Sequence, residues 1–140
     1  AEVFCAMNNL FHRHMPDYTV EDVSACVLRF KNGAAATISA TNGAIPGQWL
    51  SSAEIVFQHR TVYLANTNSA TIHFTDGQFR AHSAVAAETD VMLAESLDFI
   101  EAIEKDRDPS VPIIEGARTL EVALAAVRSA ETGKAIKLGR

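Results

Sequence analysis

Hydrophobic and polar positions alternate with a period of two through most of the first part of this chain, and from residue 90 onward they recur every three to four residues. The first pattern belongs to half-buried strands and the second to amphipathic helices. Residues 2–10 read as a first extended run. Residues 11–21 are polar, and Pro16 and Asp17 argue against a continuing ladder, so this stretch reads as a loop. Across residues 23–30, Ser24, Cys26, Leu28 and Phe30 fall on one side and Ala25, Val27 and Arg29 on the other, which predicts a strand. Lys31, Asn32 and Gly33 supply the positive-φ positions of a tight hairpin, and residues 34–41 resume the alternation with Thr37, Ser39 and Thr41 on one face. Gly43, Pro46 and Gly47 mark residues 42–52 as a loop. Residues 53–58 and 61–66 then pair across His59 and Arg60, and residues 70–75 and 78–83 pair across Asp76 and Gly77.

Beyond this point Leu93, Leu97, Ile100 and Ile103 recur at helical spacing, forming a stripe that should face a core, with Thr89 or Asp90 available as N-cap and Pro109 beyond the end. Residues 108–112 connect to a second stripe, Ala117, Leu120, Leu124 and Val127, which Gly133 closes as a C-cap. Residues 135–138 add a last short strand. Strands first and helices last predict an α+β domain: an open, mostly antiparallel sheet of about six or more strands, with two C-terminal helices packed on one face. The other face is then open. Its Thr and Ser content fits simple solvation and cover by another subunit equally well.

The 140 residues make one ordinary domain, and 48% hydrophobic with 21% charged residues is a globular composition. A net charge of −5, with the twelve Lys and Arg dispersed, offers no footprint for nucleic acid. No apolar run approaches the roughly 18 residues of a membrane span, and no signal sequence opens the chain, so no membrane partner and a cytoplasmic location are expected. Cys5 and Cys26 both sit in apolar strand-like runs, where reduced buried thiols are favoured over a disulfide or a metal site. The chain begins at Ala1 with residues 2–10 already extended, which reads as a cut inside a longer protein.

The glycines nowhere form G-x-G-x-x-G or a P-loop, so this chain by itself is expected to bind no nucleotide. No Ser lies in G-x-S-x-G and neither Cys has a thiol-enzyme signature, which leaves nucleophilic catalysis without support. His12 and His14, with Asp17 nearby, form the densest polar cluster. In an extended loop, imidazoles two residues apart project to one side, where they suit a polyol, a carboxylate or a metal, although a solvated loop is the plainer reading and a third metal ligand is missing. His59, His73 and His82 read as surface or cross-strand residues. Glu101, Glu104, Asp106 and Asp108 read as the solvated side of a helix. Trp49, the only Trp, lies in a Gly/Pro loop as a binding platform or, more simply, as a plug over the sheet. Arg118 is best explained by pairing along its helix with Glu115 or Glu121.

Val20-Glu21-Asp22 leading into a strand, then Phe30-Lys31-Asn32-Gly33-Ala34, then Leu97 to Ile103, and finally Ser129-Ala130-Glu131-Thr132-Gly133-Lys134 together resemble the C-terminal domain of the Gfo/Idh/MocA family of NAD(P)-dependent oxidoreductases. The resemblance runs through nearly the whole chain, and the closing segment is its most telling part. It implies that residues 1–140 are a single C-terminal domain whose N-terminal Rossmann partner is not in this chain. NAD or NADP is then expected for the full-length protein, with none bound by this piece. It further implies a substrate-binding and oligomerisation role in a dehydrogenase or reductase acting on a sugar, inositol or related polyol, with self-association through the open sheet face into a homodimer or larger assembly.

The family's Glu-Lys-Pro segment has no counterpart here, since Lys105 is followed by Asp106, and no His has an Asp four residues before it. No catalytic, cofactor-binding or metal-binding residue is therefore assigned. Where many members carry a Tyr, this chain has Met92. The residues expected to line substrate are Asn8, His12, His14, Trp49 and Met92. A non-catalytic dimerisation or ligand-binding module is the alternative from a different class.

Overall fold

The computed structural model describes residues 1–77, 82–88 and 90–139. Its elements are β1 (Glu2–Asn8), β2 (Val23–Arg29), β3 (Ala35–Thr41), β4 (Ala53–Val56), β5 (Arg60–Asn66), β6 (Ser69–Phe74), β7 (His82–Ala86), α1 (Val91–Glu104), α2 (Ile113–Thr132) and β8 (Ile136–Lys137). The α+β class and the antiparallel pairing are those expected, and the strands are shared between two sheets of four, ordered β3-β2-β1-β8 and β4-β5-β6-β7. The division falls in the Gly/Pro-containing segment between β3 and β4. Residues 78–81 of the expected seventh strand, and Thr89 as a candidate cap, lie outside the described residues.

One compact unit comprises Ala1–Pro46 and Val111–Arg140. Its hairpin forms at the expected Lys31-Asn32-Gly33 turn, although of the three only Gly33 takes positive φ, at +88: Phe30 N–H donates to the Ala34 carbonyl at 2.8 Å and Gly33 N–H to the Phe30 carbonyl at 3.1 Å. The core gathers Val3 and Cys5 of β1, Cys26 and Leu28 of β2, and Ala125 and Ala126 of α2, with Met7, Ala36, Val122, Ile136 and Leu138 around them. Cys26 and Leu28, which the alternation puts on one side of this strand, share the buried face, while Phe30 at its end is 44% exposed.

The buried face of α2 differs from expectation. It is Val122, Ala125, Ala126 and Ser129, spaced i, i+3, i+4 and i+7, whereas Leu120 and Leu124 are 58% and 60% exposed. Small side chains let this helix approach β1 closely enough for a polar tie. The Ser129 hydroxyl accepts from Cys5 N–H at 2.9 Å and donates to the Lys134 carbonyl at 2.7 Å. The expectation of reduced thiols is also overturned, because Cys5 and Cys26 form a disulfide. They are direct cross-strand partners on the inward face, with Cα atoms 4.0 Å apart, so the register brings their side chains together.

The second unit is Gly47–Ser110. Here α1 is capped by Asp90, whose carboxylate accepts from Met92 N–H at 3.1 Å and Leu93 N–H at 3.0 Å. Its other end closes with Asp106 N–H on the Ile103 carbonyl and Arg107 N–H on the Ala102 carbonyl, which places Asp106 in the left-handed region at φ 48. The Arg107 guanidinium reaches Asp98 at 2.9 Å and Glu101 at 2.6 Å, and Asp98 also accepts from Ser110 N–H at 2.7 Å. Glu101 is therefore a partner in a clasp rather than part of a merely solvated face. Ala102 is the buried residue of α1, while Leu93, Leu97, Ile100 and Ile103 are each more than half exposed, so the core expected for this stripe is not supplied by the described residues. Neither helix is long and apolar enough to cross a membrane.

The strained position yields a direct prediction. Asp106→Gly removes a side chain from a left-handed backbone that glycine adopts freely, and is expected to stabilise the second unit by about 0.5–1 kcal/mol. Urea unfolding measures this, and a lowered midpoint would contradict the assignment of Asp106 as the strained helix terminus.

Candidate functional site

β1 ends at Asn8 and β2 begins at Val23, and the loop between them is organised by one carboxylate. The Asp22 side chain is fully buried. Its Oδ1 accepts from Leu10 N–H at 2.7 Å, and its Oδ2 accepts from Phe11 N–H at 2.6 Å and His12 N–H at 3.0 Å and lies 3.0 Å from His12 Nδ1. Its backbone ties the surrounding strand ends, since Asp22 N–H donates to the Asn8 carbonyl at 3.0 Å and the Asp22 carbonyl accepts from Thr41 Oγ1 at 2.8 Å and Asn42 N–H at 3.2 Å. Burial by itself raises the Asp22 pKa, but the three backbone N–H groups and the imidazole outweigh it and hold the carboxyl below its ordinary value. Asp22 is therefore an anion at neutral pH.

The His12 ring is fixed on two sides, by Asp22 at Nδ1 and by Tyr18, whose ring stacks on it with centroids 4.3 Å apart. Asn9 braces the same turn, accepting from His12 N–H at 3.1 Å and donating to the Tyr18 carbonyl at 3.3 Å. Asn42 Nδ2 donates to the Tyr18 hydroxyl. Phe11 lies against Gly43 so closely that a Cβ there would fall 2.5 Å from its ring, which makes glycine necessary for this approach. Donation from Met15 N–H to the His12 carbonyl at 2.9 Å turns the chain at residues 12–15. The loop is turned rather than extended, so the expected projection of His12 and His14 to one side does not occur. His12 points to Asp22, while His14 lines an open depression of about 300 Å³ with Met15, Pro16, Asp17 and Tyr18.

Of the residues expected to line a site, Asn8, His12 and His14 belong to this loop or its edge, and Asn8 Oδ1 accepts from Arg13 at 3.3 Å. Trp49 and Met92 belong to the second unit. Trp49 is 95% exposed and so plugs nothing, and Met92 is exposed at the start of α1. Proximity in the chain puts His12 with Asp17, whereas its partner is Asp22, ten residues away, and Tyr18 stacks on its ring. A signal was present: an Asp immediately ahead of a buried strand, preceded by a polar loop whose backbone donors need acceptors. Elsewhere, His73 and His82 are the cross-strand neighbours expected, with centroids 6.0 Å apart. Among the described residues no three His, Cys, Asp or Glu side chains gather as a metal site.

With the loop and both sheets in view, the comparisons with known proteins decide the affiliation. Residues 3–138 match the family model described as the oxidoreductase family, C-terminal alpha/beta domain, of the Gfo/Idh/MocA group. The chain belongs to this family.

No curated protein matches its sequence. Similar solved structures include an oxidoreductase domain protein from Kribbella flavida, 16% identical with a TM-score of 0.86, where the match covers 100% of this chain and 44% of that one. A levoglucosan dehydrogenase in complex with NADH and levoglucosan is 17% identical with a TM-score of 0.87, covering 100% and 45%. An aldose-aldose oxidoreductase from Caulobacter crescentus, complexed with glycerol, is 21% identical with a TM-score of 0.76, covering 98% and 41%. At these identities the likeness establishes the fold. The chain spans less than half the length of each of these proteins. Within the Gfo/Idh/MocA domain, the Ser129-to-Lys134 segment acquires a physical meaning, because Ser129 bonds both to β1 and to the turn that Gly133 makes.

Proposed function

We propose that this chain is the substrate-binding and self-associating domain of an NAD(P)-dependent dehydrogenase or reductase acting on a sugar, inositol or related polyol. The observation that carries the reading is the immobilised polar loop at residues 9–22, where a buried carboxylate orients an imidazole beside a phenol and two amides. Such an array suits a ligand rich in hydroxyl groups, and two of the similar structures hold levoglucosan and glycerol.

Hydride transfer is the chemistry of the nicotinamide, and a substrate domain contributes shape and polar contacts. The residues of this chain do not fit a dinucleotide. Its helices begin after Asp90 and Pro112, and among the described residues no glycine-rich strand-to-helix turn is present to receive a pyrophosphate. In this reading the cofactor is held by a separate Rossmann domain working beside this one. The half-exposed apolar residues of α1 and α2 are consistent with further cover by that domain or by a second copy. A cytoplasmic setting remains part of the proposal, and the Cys5–Cys26 bond pulls against it, because cytosolic thiols are kept reduced.

Two measurements test the division of labour. Titrating the 140-residue chain with NADH and NADPH is expected to give no saturable binding, whereas the protein containing both domains is expected to turn over NAD(P) with a polyol or aldose. A micromolar NADH site on this chain overturns the reading. Light scattering at high micromolar concentration is expected to report at least a dimer, and a strict monomer counts against self-association.

A further inference from the structure

We propose that Asp22 is a positioning residue that holds His12 in its Nδ1–H tautomer, so that His12 Nε2 serves as the hydrogen-bond acceptor for one hydroxyl of a polyhydroxylated ligand. The inference deepens the function proposed above and rests on that reading for the class of ligand.

The tautomer follows from the donors around the carboxylate. Asp22 is anionic, and an ionised carboxylate only accepts, so the nitrogen 3.0 Å from Oδ2 must carry a proton. In a neutral imidazole the opposite nitrogen is then bare. Three backbone N–H groups already bind the same carboxylate, which keeps it in place whether or not the imidazole is present. Stacking against Tyr18 fixes the plane of the ring, and the His12 side chain retains 29% exposure, so one edge of the ring is accessible while Nδ1 is engaged. Among the described residues no group of this chain bonds to Nε2. The neighbouring amides are differently occupied: both ends of the Asn9 amide are engaged within the loop, and Asn42 Nδ2 donates to the Tyr18 hydroxyl. Since the Tyr18 oxygen accepts from Asn42, its own O–H is available as a donor. An acceptor on His12 beside a donor on Tyr18 complements neighbouring hydroxyls of a sugar or cyclitol, each of which both gives and receives a hydrogen bond.

The test is 15N NMR of the chain labelled at its imidazoles, recorded at mildly alkaline pH. His12 is expected to show a protonated Nδ1 and a bare Nε2. Titration with D-glucose or myo-inositol should shift the Nε2 resonance saturably. His12→Phe keeps a ring against Tyr18 and the backbone donors on Asp22, and should abolish the ligand-induced shifts in the loop without unfolding it. Asp22→Asn, where it folds, should move the tautomer toward Nε2–H and weaken binding about tenfold, the loss of one well-placed hydrogen bond. An Nε2–H tautomer in the wild-type chain overturns the inference, as does a sugar titration that shifts Tyr18 or Asn42 but leaves His12 Nε2 unmoved. A titration that shifts nothing in the loop defeats the broader reading of residues 9–22 as substrate-facing together with the inference built on it.

Discussion

Replacing Ser129 with alanine is expected to destabilise the first unit by about 2–3 kcal/mol, although only one oxygen is removed. Ser129 is wholly buried, and its hydroxyl is both the acceptor for Cys5 N–H and a donor to the Lys134 carbonyl. Alanine leaves the buried N–H of Cys5 without its acceptor and the Lys134 carbonyl without its donor. The matched control is Thr119→Ala on the exposed side of the same helix. That hydroxyl bonds only to the carbonyl of Glu115, and its loss should change stability by no more than about 0.5 kcal/mol. Denaturant unfolding of the two variants distinguishes them, and equal midpoints would show that Ser129 does not hold α2 to β1.

The second large effect is expected at Asp22. Its replacement by alanine strands the N–H groups of Leu10, Phe11 and His12 and cuts the loop from the sheet edge, and should lower the melting temperature on the order of 10 °C. The sign of the pH dependence follows from the depressed pKa. Folding favours the anion, so the contribution of Asp22 is fully present above the ordinary aspartate range near about 3.9 and is lost as the pH falls through the lower value of the folded state. Asp22→Asn cannot ionise, so its melting temperature should fall less steeply than that of the wild type between about pH 4 and pH 2. Superimposable acid limbs for the two proteins would contradict the role of the Asp22 charge.

Much of this architecture was legible in the sequence because each element is governed by local rules. The alternation across residues 23–30 puts Cys26 and Leu28 on one side, Asn32 and Gly33 make the hairpin, and Asp90 and Gly133 end the helices where their side chains and backbone freedom demand. What the sequence concealed depends on contacts between distant residues. The allocation of strands to two sheets turns on which edges meet, and no local pattern encodes that. Leu120 and Leu124 draw the eye as a core stripe because they are large. The actual seam of Val122, Ala125, Ala126 and Ser129 is selected for closeness, and small residues give a weak hydrophobic signal. His12 stood out as chemistry, yet its partner could not be chosen by proximity in the chain, because the loop folds back to place Asp22 beneath it while Asp17 lines the open depression.

The disulfide also bears on how the first unit is held together. Cys5 is bonded through its sulfur to β2 and through its backbone N–H to the hydroxyl of α2, so one residue joins two strands and a helix just below the loop that carries His12. The seam between β1 and α2 is thus held by bonds separate from those by which Asp22 holds residues 10–12, so loosening the loop leaves that seam intact.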